Sequence, residues 1–209
     1  GVELLEAYGA TEASPVISAN IPAINRHGTV GQFLPGMEWR LEPVPGIEGG
    51  QRLLVRGPNV MRGYLDPLKP FGIDLLPEGW HDTGDVVDVD EDGYIRILGR
   101  VKRFAKIGGE MVSLNAVESY AQSIWPNGTH AAISLPDQRK GERIVLFTNQ
   151  DGADTSAFVA WSKENGVQDI AVPKRIVYVE DIPVLGTGKT DYVALGRMAE
   201  ELLARAEAA

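Results

Sequence analysis

Glycine and proline recur so often between Thr29 and Leu98 that only short segments survive between them, and this spacing restricts the possible folds more than any other feature. Both residues disfavour helix interiors, glycine through its backbone entropy and proline through its missing N–H. The surviving segments predict strands at Thr29–Phe33, Met37–Glu42, Gln51–Arg56, Asp85–Asp90 and Gly93–Leu98. In the last of these, Tyr94, Ile95, Ile97 and Leu98 stand among polar residues behind the hairpin signal Asp92-Gly93. Many short strands joined by such turns predict an antiparallel, β-barrel-like subdomain rather than a parallel sheet.

After Gly99 the texture changes. Asn115 and Glu118 form a candidate helix-capping pair, and Val117, Ala121 and Ile124 then fall on one helical face. His130–Leu135 and Arg143–Asn149 read as strands, and Asp154–Asn165 reads as a helix closed by Gly166, with Phe158 and Trp161 one turn apart. Arg175–Val179 reads as a strand. Asp191–Ala206 reads as a final helix carrying Val193, Leu195, Met198, Leu202 and Leu203, and the Ala/Glu-rich tail Glu200–Ala209 is expected to fray. The expected class is α+β, with the β-rich part over residues 1–100 and a small α+β domain over residues 101–209.

Charge supports that division. The net charge is −9, with 8 basic and 15 acidic residues in Gly1–Arg100 against 12 and 14 in Val101–Ala209. An acidic chain repels phosphate backbones, so sequence-independent binding to nucleic acid is not expected. The absence of cysteine excludes a disulfide scaffold, a thiolate zinc site and a cysteine nucleophile. No apolar run reaches the roughly 18 residues that span a bilayer. The opening Gly1-Val2-Glu3-Leu4-Leu5 carries no basic leader, so a soluble piece is expected.

Four segments carry residue types suited to chemistry. Tyr8-Gly9-Ala10-Thr11-Glu12 combines an aromatic ring, a glycine, a hydroxyl and a carboxylate, able to stack a base and hold phosphate and a cation; it also reads as a strand end running into a turn. Gly79-Trp80-His81-Asp82-Thr83-Gly84-Asp85 places a carboxylate on a glycine-bounded turn, suited to gripping vicinal hydroxyls or simply to turning the chain. Asp88, Asp90 and Asp92 nearby lack the spacing and terminal Glu of a calcium-binding EF-hand. Gly99–Glu110 contains Arg100, Lys102, Arg103 and Lys106, cations for an anionic ligand or acidic partner, or a solvated basic turn. Gly186-Thr187-Gly188-Lys189-Thr190 imitates a phosphate-binding P-loop, but the required earlier glycine is Pro183. Such a loop suits the delivery of one mobile cation to developing negative charge, or is an exposed loop capped into a helix by Thr190.

In order and spacing, these segments resemble the adenylate-forming superfamily of acyl-CoA synthetases, peptide-synthetase adenylation domains and luciferases. The resemblance also runs through Leu54–Tyr64, Pro136-Asp137 and Gly141-Glu142. It implies that Tyr8 and Gly9 receive adenine, that Thr11 contacts phosphate and that Glu12 helps hold Mg²⁺. Asp85 would bind the ribose hydroxyls with Arg100, and Lys102 would be the hinge of a mobile carboxy-terminal domain. Lys189 would serve the reaction of a carboxylate with ATP, after which Lys106, Gly108 and Gly109 would line the path of a pantetheine thiol. The implied substrates are ATP and a fatty acid, with acyl carrier protein or CoA as acceptor.

Tyr8–Pro15, Gly108–Leu114 and Pro183–Tyr192 are similar to the acyl-ACP synthetase half of bifunctional acyltransferase/acyl-ACP synthetases. That similarity implies a cytoplasmic-side location, with any inner-membrane association residing in parts this chain lacks. Leu114, where many relatives have proline, and Asp191-Tyr192, where a basic residue is more usual, depart from the superfamily pattern. The loop expected to clasp the outer ATP phosphates would lie before Gly1, so the piece alone is expected to be inactive. Two other readings are a peptide-synthetase adenylation domain and a docking module in which Lys102, Arg103 and Lys106 receive an acidic carrier protein.

Overall fold

A computed structural model describes residues 2–66, 68 and 72–207, with the side chains of 203–207 excepted. The chain divides into two compact units, Gly1–Lys102 and Arg103–Ala209.

In the first unit, β1 (Ala7–Gly9), β2 (Val16–Ala19) and β3 (Gln32–Phe33) form a three-stranded sheet. The strands β4 (Glu38–Pro43), β5 (Gln51–Arg56), β8 (His81–Val89) and β9 (Ile95–Arg100) form a four-stranded sheet in the order β4-β5-β8-β9. Between them in sequence, β6 (Gly63–Leu65) and β7 (Ile73–Leu75) make a separate hairpin. All these pairings are antiparallel. Among the described residues the sheets do not close into a barrel: beside β3 and β9 they are linked only by the Gln32–Tyr94 bridge and two backbone bonds of Ile95, to Val30 and Gly31, and otherwise by packing. That packing is a core of Ala13, Ile17, Leu53, Val55, Val87 and Ile95, each fully buried. The alternation of Leu53 and Val55 in β5 sends both to this face, as a period of two requires.

In the second unit, β10 (Phe104–Ile107) and β11 (Glu110–Ser113) form a hairpin that precedes α1 (Leu114–Ile124). Then follow β12 (His130–Asp137), β13 (Gly141–Thr148), α2 (Thr155–Glu164), β14 (Arg175–Tyr178) and α3 (Tyr192–Glu207). β13 pairs with β12 along its length, with β10 at its start and, in parallel, with β14. Both faces of β13 are covered, which explains its unbroken run Ile144–Phe147. Ile144 and Leu146 join Val117, Ala121 and Phe158 under α1 and α2, while Val145 and Phe147 join Leu195 and Ala199 under α3.

Several local expectations change. Ser113, not Asn115, caps α1, its hydroxyl accepting from the Ala116 N–H at 3.2 Å. Asn115 and Glu118 are instead occupied by Arg103. Ser113→Ala is expected to cost about 1 kcal/mol, read as a lowered midpoint of chemical denaturation. Asp191 rather than Thr190 opens α3, its Oδ1 accepting from Val193 and Ala194 at 3.0 Å each. That cap turns Tyr192 inward and leaves Val193 65% exposed, contrary to its expected place on the apolar face. The Leu203 side chain and the end of the tail lie outside the described residues.

Candidate functional site

The site in the first unit is built where β1 meets the middle of β8. Leu54 pairs with Asp82 and Arg52 with Val86, so Thr83, Gly84 and Asp85 stand opposite Leu53 alone. This bulge, with Gly84 at φ +68°, re-aims the side chains around it. Asp85 lies in a strand, as its expected place at the start of Asp85–Asp90 requires, but the strand begins earlier at His81, and the residues before Asp85 form a bulge rather than a turn. The Asp85 side chain is only 9% exposed. Opposite it on β9 is Arg100, whose Nε donates to Asp85 Oδ1 at 3.1 Å. Thr83 Oγ1 donates to the Leu53 carbonyl and accepts from the Asp85 N–H, fixing the bulge.

Tyr8 arrives from the other sheet. Its hydroxyl donates to Asp85 Oδ2 at 2.5 Å. Burial first, and then this bond to a carboxylate, push the Tyr8 phenol far above its ordinary range, so it remains protonated. Tyr8, Asp85 and Arg100 are thus brought together, beside a recess lined by Arg52, Thr83, Gly84 and Lys102 among others.

The segment after Tyr8 is held by close backbone contact. A Cβ on Gly9 would lie 1.7 Å from the Pro15 carbonyl oxygen, so no larger residue fits without moving β1 away from β2. Gly9→Ala is expected to destabilise the unit by about 1–3 kcal/mol, measurable by denaturant titration of the full-length protein. Asn59 Nδ2 straps the same turn, donating to the carbonyls of Ala13 (2.7 Å) and Val16 (2.8 Å). Thr11 is exposed. Glu12 accepts from the Tyr64 hydroxyl at 3.0 Å; its own backbone N–H and then Tyr64 hold its carboxyl below the usual range, so it is ionised near neutral pH. Among the described residues no group of three or more His, Asp or Glu could hold a metal ion by itself.

In the second unit, Lys106 projects from β10 into solvent, and Gly108 and Gly109 form the two-residue turn to β11. Their φ values of +62° and +98° explain why this turn is Gly-Gly. The β10 backbone is anchored by Glu142, which accepts from the Lys106 N–H and from Ser134 Oγ. Lys106, Gly109, Lys140, Gly141 and Glu142 line an open recess. Lys189 is exposed on a second turn, closed by bonds from Leu185 N to the Lys189 carbonyl and from Gly188 N to the Leu185 carbonyl, both 2.8 Å.

The basic cluster divides. Arg103 is no surface cation: its side chain is 13% exposed and donates to Glu118 at 2.6 Å, to the Ala132 carbonyl at 2.7 Å and to Asn115 at 3.2 Å. It also lies 3.7 Å from the centre of the Tyr192 ring, whose hydroxyl donates to Glu118. Its expected share in a docking face is therefore corrected, and Tyr192 gains a structural reason for replacing a basic residue. The supports Thr83, Asn59, Tyr64 and Glu142 were missed as site residues. All four fall within segments that carried the superfamily resemblance, which was the available signal.

The first unit thus presents a tyrosine–carboxylate–arginine constellation on antiparallel strands, and the second is a compact α+β unit. Residues 1–65 match the family of AMP-binding enzymes. Over 198 residues the chain is 34% identical to a long-chain-fatty-acid–CoA ligase of Salmonella typhimurium, covering 90% of this chain and 35% of that protein. It is 32% identical over 201 residues to a medium-chain fatty-acid–CoA ligase of Escherichia coli, with the same coverages. ATP-bound MatB from Rhodopseudomonas palustris matches with a TM-score of 0.76 at 27% identity, over 95% of this chain and 41% of that one. The chain belongs to the AMP-binding superfamily, the acyl-CoA synthetase family, and spans about a third of the length of the curated relatives it matches.

Proposed function

We propose that this chain is the carboxy-terminal part of an ATP-dependent ligase that activates a fatty acid as its acyl-adenylate and passes the acyl group to a pantetheine thiol. The observation that carries this reading is the buried Asp85 carboxylate held between Tyr8 and Arg100, 77 positions separating Tyr8 from Asp85. The fatty-acid–CoA ligase relatives support the substrate class, and ATP-bound MatB supports the nucleotide.

In the first step a carboxylate oxygen attacks the α-phosphorus of ATP and displaces pyrophosphate. Tyr8 would present its ring to adenine, Gly9 would let the backbone approach, Thr11 would meet phosphate, and Asp85 with Arg100 would hold the ribose. The ionised Glu12 fits a Mg²⁺ ion, which keeps several waters and takes most of its other ligands from substrate phosphates. Lys189 would steady the charge shared by the carboxylate and α-phosphate. In the second step the thiol sulfur attacks the acyl carbon and AMP leaves. Residues 103–209 would turn about the Lys102 hinge, and Lys106 with the Gly108-Gly109 turn would then border the thiol's path. Acyl carrier protein is the proposed acceptor, with CoA its rival, and membrane association would belong to parts outside this chain.

The test is ATP–pyrophosphate exchange by the full-length protein with a panel of fatty and amino acids. Exchange stimulated by fatty acids is expected. Exchange with amino acids alone would move the protein to the peptide-synthetase branch, and exchange with neither would overturn the reading. Acyl transfer from the preformed adenylate to acyl carrier protein but not to CoA would establish the narrower acceptor, and the reverse preference would overturn it.

A further inference from the structure

The Tyr8 hydroxyl has a task separate from its ring. An ionised carboxylate offers about four acceptor positions, two on each oxygen. Tyr8 occupies one on Oδ2 and Arg100 occupies one on Oδ1. One position on each oxygen is left, the number that a vicinal diol requires. Both retaining bonds are long-range in sequence, and both come from donors: the phenol, which its burial keeps protonated, and the guanidinium, which has no acceptor atom. The carboxylate therefore cannot rotate to satisfy itself elsewhere without breaking one of them. The backbone side is equally fixed, because the Thr83 hydroxyl ties the Asp85 N–H to the Leu53 carbonyl.

We infer that Tyr8 is a positioning residue for ribose recognition, its hydroxyl locking the Asp85 carboxylate in the orientation that accepts the two ribose hydroxyls. This rests on the proposed use of ATP and the assignment of the ribose to Asp85, and adds a specificity role to the phenolic oxygen. A phenylalanine keeps the ring and its stacking surface but leaves Oδ2 free to turn. The loss should therefore fall on nucleotides that carry the hydroxyl Asp85 recognises, and spare those that lack it.

The experiment compares ATP with 2′-deoxyATP in pyrophosphate exchange by the full-length protein carrying Tyr8→Phe, Asp85→Asn or both. In the unaltered protein, hydrogen bonds to a buried charge are expected to favour ATP over 2′-deoxyATP by roughly tenfold or more in kcat/KM. Tyr8→Phe is expected to raise the KM for ATP and shrink that preference to a few-fold, while kcat/KM for 2′-deoxyATP changes little. In the Asp85→Asn background, adding Tyr8→Phe is expected to cause no further loss of preference. A loss of equal size for both nucleotides would mean that the hydroxyl only stabilises the fold, and would overturn the inference. A lowered KM for ATP in Tyr8→Phe would show that the phenol competes with ribose, and would overturn it also. If Asp85→Asn keeps the full preference, the ribose assignment itself fails. If Asp85→Asn loses the preference and Tyr8→Phe retains it, only the role of the hydroxyl fails.

Discussion

Replacing Lys189 by alanine in the full-length protein is expected to lower fatty-acid-dependent ATP–pyrophosphate exchange by about 10²- to 10³-fold, the usual effect of removing a group aimed at developing charge. Thioester formation from supplied acyl-adenylate should fall far less. Leu185 and Gly188 close the Lys189 turn by backbone hydrogen bonds, so the exposed lysine stands on a defined base and has its own side-chain freedom to meet negative charge. In the second step the charge on phosphate is leaving as AMP, and the proposed path for the thiol borders Lys106 instead. Equal losses in the two half-reactions would contradict this division between Lys189 and Lys106.

The second large effect is structural. Glu118→Ala is expected to destabilise the unit Arg103–Ala209 by about 3 kcal/mol, because it strips a mostly buried guanidinium of its counter-charge. The same carboxylate accepts from the Ala132 N–H at 2.8 Å and from the Tyr192 hydroxyl at 3.1 Å, so further donors lose their partner. For a unit of this size the thermal midpoint should drop by on the order of 10 °C, checked by calorimetry of the full-length protein. Lys163→Ala, an exposed change on α2, should move it by less than about 1 °C. A midpoint unchanged in Glu118→Ala would show that the network contributes no net stability. Reversing the charge of Arg103 is likewise a stability experiment, since its head group faces Glu118 and Tyr192 and not a partner.

Periodicity and turn residues made much of the fold legible. Gln51–Arg56 is a strand over the range its spacing implies, and Arg175–Tyr178 falls one residue short of its expected end. The helices at Leu114–Ile124, Thr155–Glu164 and Tyr192–Glu207 fall where their apolar repeats place them. The hairpin of β10 and β11 went unseen because four cations near its start dominated the reading. Its signal was the alternation Phe104–Ile107, a Gly-Gly pair, and Glu110–Ser113. The start of β8 was missed for a related reason: His81, Asp82, Thr83 and Gly84 have turn-like composition, and only pairing with β5 makes them a bulged strand.

The sequence by itself determined the α+β class, the order of the motifs and the residue types available for chemistry, because these follow from local periodicity, charge and spacing. Only the tertiary structure decided which of those residues meet. Tyr8, Asp85 and Arg100 converge because a bulge in β8 and the packing of two separate sheets bring them within hydrogen-bonding distance. Arg103, indistinguishable in sequence from its neighbours Lys102 and Lys106, was taken into the interior by Glu118 and Tyr192. A cation's neighbours in the chain do not say whether it faces water or a carboxylate; that depends on groups 12 and more residues away, which packing alone places beside it.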